Sequence, residues 1–419
     1  MRGAWMSMRA VAIAAVLAGF VLASGPVAAA DRTWLPGSAL TTDHVTALTA
    51  SHELASDGGR LHLVYVHEPV AFSGDLVYRR SLDGGRTWEA PRVLFSTGAH
   101  VTQLVGNLAI AAHEGLVVVA FRAHDATHAL LLTRTSQDGG ASWGPPVRVA
   151  RVTTDLRMGI PALAVSSAGI VVAWTDRSTG AISVRLSADG GRTFGQAKRV
   201  ATTQYTFICG RPDFTDGEAS LGVDGLSVYL AWTDDPQAGC GQPVLMLRRS
   251  LDGGLSWLPR QRLAGSQPTL GWPEIAVRGD RVFLLASTPQ GTEVLLRSSD
   301  RGVGFAVRSF VASQAGGILR QGDVEFDADG TLRLVLPELR LSQDGTQVVS
   351  SRLVALRSVD HGVTWSDRSV AHTAPAGLVD SSPNLALAQG HPVIVFNEGT
   401  GDLSSVDIQA VRQVDRRIP

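Results

Sequence analysis

Five carboxylates recur at one kind of place in this chain: Glu68, Asp176, Asp234, Glu338 and Glu398 each stand just after a strongly apolar or β-branched run. Acidic side chains converging on one pocket are what cleavage of a glycosidic bond requires, one as acid and one as base or nucleophile. The competing reading is that polar residues simply mark where a strand meets water, and residue type alone leaves both open. Histidine is unevenly distributed as well. Eight of the 11 fall from His44 to His128, and the other three are His361, His372 and His391. Within the first group, His44, His67, His100 and His124, with Arg122 beside them, read as loop or strand-end residues; clustered imidazoles can serve as acid and base or bind a divalent metal. No H-x-x-x-H on a helix supports a metal centre, so solvated loop histidines are the default and no metal or cofactor is expected. A third group crowds into one interval: Tyr205, Arg211, Asp213, Asp216 and Glu218, with Cys209 among them. Arg157 and Arg320 lie in comparable segments.

These residues need elements to position them, and the sequence supplies a repeat. SLDGGRTW from Ser81, SQDGGASW from Ser136, SADGGRTF from Ser187, SLDGGLSW from Ser250, SSDRGVGF from Ser298 and SVDHGVTW from Ser358 share the pattern S-x-D-x-G-x-[ST]-[WF], the fifth with Gly304 at its hydroxyl position. Between two strands an Asp carboxylate accepts hydrogen bonds from the next backbone N–H groups, and Gly reaches positive φ at little cost. Asp83, Asp138, Asp189, Asp252, Asp300 and Asp360 therefore read as turn formers rather than catalysts; a calcium loop would want several more oxygen ligands at set positions.

The boxes recur about every 55 residues, a length that suits four short strands and their turns. Each follows one strand, such as Val244 to Arg249, and precedes another. Upstream lies a more apolar strand, from Leu61 to Val66 in the first repeat to Pro392 to Phe396 in the last, and there are seven of these. An innermost strand is read from segments such as Pro161 to Val165 and Pro383 to Leu387. The last repeat lacks a box, while Arg32-Thr33-Trp34-Leu35-Pro36 looks like a box ending with its outer strand. The expectation is an all-β propeller of four-stranded blades, seven favoured and six possible, closed by pairing of the N- and C-terminal strands, which removes exposed sheet edges.

The S-x-D-x-G-x-[ST]-[WF] box is the Asp-box, or bacterial neuraminidase repeat, and through it the chain resembles the sialidase-like superfamily of β-propellers over its whole length after residue 30. The resemblance implies that loops leading into each next blade, and those joining second and third strands, share the active-site face, with the boxes opposite. The acidic ring, the histidines and the Tyr205–Arg211 segment map to that face. The motifs of a true sialidase are missing. Where the family places F/Y-R-I-P this chain has Asp43-His44-Val45-Thr46, and its four tyrosines, 65, 78, 205 and 229, all precede the late position of the family's nucleophile. Arg157, Arg211 and Arg320 could converge as the carboxylate clamp. The expectation is a propeller that binds a carbohydrate or an extracellular protein on its central face. The alternatives are an exo-acting glycoside hydrolase using a pair from the acidic ring, and an extracytoplasmic assembly scaffold.

Composition narrows the field. With 37 basic and 38 acidic residues among 419, the chain lacks the one-signed excess that nucleic acid or anionic lipid would need. Its 45 glycines suit many tight turns rather than long helices. Arg2 and Arg9 precede an apolar run from Val11 to about Ala23, and Ala28-Ala29-Ala30 forms a small-residue cleavage site, so residues 1–30 read as a secretory signal peptide and 31–419 as one exported domain. The apolar run is too short to span a bilayer, and no membrane span and a monomer are expected. In an oxidising compartment the even count of Cys209 and Cys240 favours a disulfide clamping two loops of the site face, with a catalytic thiol or metal pair as the alternative.

Overall fold

The computed structural model describes residues 32–41, 51–70, 73–96, 108–124, 128–152, 158–203, 219–234, 244–263, 270–288, 290–400 and 405–415. They form seven antiparallel sheets, one for each blade. In chain order the blades span 52–96, 108–152, 162–202, 219–262, 270–310, 317–373 and 378–415, the last completed by 32–39. The innermost strands follow one another around a closed ring, that of blade seven returning to that of blade one. Seven is therefore the blade count. Among the described residues no helix is long and apolar enough to cross a membrane.

Burial across each blade explains its spelling. The second strand is covered on both sides by neighbouring blades, so it reads as a continuous apolar run: Val117, Val118, Val119, Ala120 and Phe121 are all fully buried. A strand buried on both faces has no reason to alternate, and each large apolar side chain so enclosed contributes roughly 1.5–3 kcal/mol. The outermost strand, by contrast, faces water, and in Ala306–Phe310 only Phe310 is buried. The apolar clusters straddle the seams. Val64, Leu76 and Tyr78 of blade one pack with Phe121 and Leu132 of blade two, and Leu353 and Ala371 of blade six pack with Ile394 and Phe396 of blade seven.

Closure is made by the two ends of the chain. Arg32–Trp34 and Ser38–Ala39 both pair with Val406–Asp415, with Arg32 opposite Asp415 and Ser38 opposite Ala410. The outermost strand of blade seven is thus supplied in two short pieces from the start of the chain. In blade six the innermost strand is likewise divided, since Gly317–Leu319 and Asp323–Phe326 both pair with Leu332–Leu341.

The box turns share one hydrogen-bond scheme. In the first, Ser81 Oγ donates to Asp83 Oδ1 at 2.8 Å and accepts from Gly85 N at 2.8 Å, while Asp83 accepts from Thr87 N at 2.9 Å and Thr87 Oγ1 at 2.6 Å. Burial is the largest single influence on the Asp83 carboxyl and pushes it up, but these bonds together hold it down to about 2. Asp138, Asp189, Asp252 and Asp360 repeat the scheme. Asp300 keeps the bonds from Ser298 Oγ at 2.6 Å and from Gly304 N at 2.9 Å, and lacks only the second hydroxyl, since residue 304 is glycine. The second glycine meets two demands. Gly140 has φ of 81° and sits so close to the preceding blade that a Cβ there would collide with the Tyr78 hydroxyl.

Candidate functional site

The box turns lie at one end of the first six blades, between the third and fourth strands, and the second strand of each finishes at the other. That other face carries the acidic ring. Along it, the seam between blades six and seven gathers His372, Asp380 and Glu398. Each comes from a different strand: Ser366–Thr373, Leu378–Ala388 and His391–Thr400. Asp380 and Glu398 are register partners, so their side chains emerge side by side. His372 stands opposite, on the outermost strand of blade six, with its ring centroid 4.9 Å from that of Phe396.

The three groups are arranged in series. His372 Nδ1 lies 3.1 Å from Asp380 Oδ2, and His372 Nε2 lies 3.6 Å from Glu398 Oε2. Asp380 is fully buried; its N–H donates to Ser351 Oγ at 2.9 Å, and its Oδ1 has no hydrogen-bond partner. Burial alone would lower the His372 pKa, but the hydrogen bond and charge of Asp380 raise it. Burial pushes up the carboxyls of Asp380 and Glu398, while His372 pulls both back. The side chains of His372 and Glu398 keep 18% and 12% exposure, so both can be reached from outside. An imidazole oriented by a buried carboxylate can accept a proton, and a carboxyl with a raised pKa can give one. The same three residues offer one ligand atom each within 4.8 Å of one another, a set that could hold a divalent metal ion.

The other ring carboxylates have different surroundings. Asp176 Oδ1 accepts from Ser178 N at 2.9 Å and Ser178 Oγ at 2.6 Å, which closes its own turn. Asp234 is buried with its Oδ2 3.9 Å from Arg260 Nη1. Glu338 is fully buried on the far side of blade six, bonded to Arg368 Nη2 at 3.0 Å, to Ser313 Oγ at 3.1 Å and to Arg352 Nε. Burial would raise the Glu338 carboxyl, but these donors hold it below its ordinary value. Glu68 lies two residues before the end of the strand Arg60–Val70, and His124 ends the strand Leu116–His124; the side chains of both lie outside the described residues. His44, His100, Arg157, Tyr205, Cys209, Arg211 and Cys240 also lie outside them, and with them the disulfide. His67 stands opposite Asp75 near the end of its strand. Arg122 is buried and donates to Met158 O at 3.0 Å, and Arg320 is exposed.

Of the ring acids described, only Glu398 is thus brought against a histidine. Sequence reasoning missed His372 and Asp380, and also Glu293. Asp380 precedes the segment beginning at Pro383 that reads as the innermost strand, although the strand itself starts at Leu378. Glu293 is fully buried, accepts a hydrogen bond from Ser287 Oγ and is pushed up by burial to about 7.

Comparison with known proteins agrees with this architecture. A family model described as a BNR repeat-like domain matches residues 26–284. No curated protein matches the sequence. Among solved structures, an ulvan lyase of polysaccharide lyase family PL25, bound to a GlcA–Rha3S saccharide, is 12% identical; the alignment covers 89% of this chain and 95% of that one with a TM-score of 0.56. The phage phi92 endosialidase is 11% identical over 92% of this chain and 70% of that one, with a TM-score of 0.52. A Trypanosoma rangeli sialidase is 12% identical over 88% of this chain and 54% of that one, with a TM-score of 0.47. At such identities the likeness is one of fold.

Proposed function

We infer that this chain, which belongs to the family of BNR repeat-like domains, is an exported glycan-binding propeller that takes its ligand on the face opposite the box turns, at the seam of His372 and Glu398. One observation carries the reading. Asp234 and Glu338 are buried and Asp176 is tied into its own turn, whereas His372 and Glu398 remain reachable beside a buried carboxylate, with Gln409 Nε2 3.4 Å from Glu398 Oε1. A two-carboxylate hydrolase needs both acids in contact with the sugar; of the two acids beside Glu398, Asp380 is fully buried, and Asp407, its register partner on the next strand, accepts a hydrogen bond from Thr41 Oγ1 at 3.5 Å. Recognition of sugar hydroxyls needs only a few polar groups at a reachable seam. The carbohydrate ligands named for structures of the same fold support the choice of a glycan over a protein partner.

A second reading rests on the order Asp380, His372, Glu398. With His372 as base and Glu398 as acid, the seam would carry proton transfer to and from a bound sugar. One experiment tests both. The purified protein is screened on a glycan array and against chromogenic glycosides, alongside His372→Ala and Glu398→Gln. Binding without turnover, weakened in both variants, supports recognition. Turnover abolished in both supports the catalytic reading. Binding unchanged in both variants would remove this seam from the function.

A further inference from the structure

At the opposite end of the same two blades, beside the box turn of blade six, lies a cleft of about 340 Å³. Four arginines line it; Arg368 is bonded to Glu338, and the other three converge from two blades. Arg32 comes from the closing N-terminal strand, and Arg333 and Arg357 are register partners on adjacent strands of blade six. Each is tied to one carboxylate: Arg32 Nε to Asp415 at 3.3 Å, Arg333 Nη2 to Asp327 at 3.2 Å, and Arg357 Nη1 to Asp367 at 3.5 Å. Each also keeps a buried nitrogen with no hydrogen-bond partner, namely Arg32 Nη1, Arg333 Nε and Arg357 Nε. A buried donor left unmet is unfavourable, and native proteins rarely tolerate several in one place. Burial and the positive charge of Arg32 both pull the Arg333 pKa down, so the guanidiniums repel one another across the cleft. Trp34, its Nε1 bonded to Ser369 Oγ at 3.1 Å, supplies an apolar wall together with Leu385 and Pro392.

We propose that this cleft is an oxyanion site that takes a carboxylate or sulfate group carried on a small ring, such as that of an acidic monosaccharide. Acceptor oxygens there would meet the unpaired guanidinium N–H groups and offset their mutual repulsion, in the planar geometry that arginine provides. The ring would lie along Trp34. The site is distinct from the His372 seam and does not depend on its function. Because Arg32 belongs to the closing strand while Arg333 and Arg357 belong to blade six, an occupant would fasten the closure to its neighbour.

The test titrates the purified protein with glucuronate, glucose 6-sulfate, glucose and inorganic sulfate, reading calorimetric heat and thermal unfolding. Glucuronate or glucose 6-sulfate is expected to bind and raise the unfolding temperature, glucose is not, and the stronger of the two anions identifies the preferred group. Arg357→Gln is expected to weaken binding about tenfold or more. Arg32→Gln, on a different strand, is expected to do the same and serves if the first variant folds poorly. Binding retained by both folded variants overturns the proposal. So does binding of inorganic sulfate with neither acidic sugar, or no binding by any of the anions.

Discussion

His372 on the outer strand of blade six and Asp380 on the inner strand of blade seven meet across the seam at 3.1 Å, Nδ1 to Oδ2. The bond holds the imidazole against a fully buried carboxylate and keeps its pKa up where burial would lower it. A group whose pKa is raised on folding adds stability that is fully present below its unfolded value, ordinarily about 6.5 for histidine, and lost as pH rises through the folded value. Replacing Asp380 by Asn should therefore lower the His372 pKa and remove this part of the pH dependence. Proton NMR titration of the His372 ring in both proteins measures it; an unchanged midpoint would show that Asp380 does not set the protonation of His372.

A second pH effect has the opposite origin. Glu53, Asp323 and Glu325 are half-buried on the innermost strands of blades one and six. Glu53 is pushed up to about 8, first by this burial and then by the charge of Asp323. Below about pH 4.5 the carboxyl is protonated in folded and unfolded chains alike; as pH rises toward 8 the unfolded chain releases the proton first, and stability falls. Glu53→Gln should therefore stabilise the protein at pH 8, on the order of 2 kcal/mol, and do little at pH 4. Urea unfolding at the two pH values measures it, and an equal effect at both would contradict the shift.

Glu338 should behave as a structural residue. Removing it leaves Arg352 and Arg368 without the carboxylate that neutralises them, and because their side chains keep 30% and 31% exposure the loss is about 1–3 kcal/mol. Glu338→Ala should lower stability by that order in urea unfolding near neutral pH. In the parent protein this contribution is present above the ordinary carboxyl pKa and fades as pH falls through the depressed one. A loss below about 0.5 kcal/mol would mean that the ion pairs are immaterial.

The box glycines should tolerate no side chain. Gly140→Ala adds a methyl where the Tyr78 hydroxyl already lies, paired with His62 Nδ1 at 2.8 Å, and does so at φ of 81°. Strain and overpacking together should cost at least about 2 kcal/mol. The cost would show as a lower unfolding midpoint; an unchanged midpoint would mean that the seam yields easily.

Much of this architecture could be read from the residues. The repeated box announces turns, Val117 to Phe121 announces a doubly covered strand, and Arg32-Thr33-Trp34 foretells which strand closes the ring. The site was far less legible, for a physical reason. Asp176 and Asp234 occupy corresponding strand ends, yet one closes its own turn and the other approaches Arg260. Local spelling does not distinguish them. His372 and Asp380 meet across a seam whose geometry depends on the packing of two blades, and nothing in the flanking residues of either names the other. The arginine cleft is hidden in the same way, because arginine is frequent throughout the chain and only the fold gathers Arg32 with Arg333 and Arg357.

The ring is fastened by strands from opposite ends of the chain. Residues 32–39 must therefore wait for residues 406–415 before they have a partner, and until then the seventh blade is incomplete and the ring stays open. Closure brings together residues at the greatest distance along the sequence, and loop-closure entropy makes such contacts slow to form. Once formed, the circle has no preferred beginning. Joining the two ends and opening the chain at the turn between Asp224 and Ser227 would move the fastening to another blade and leave every seam as it is.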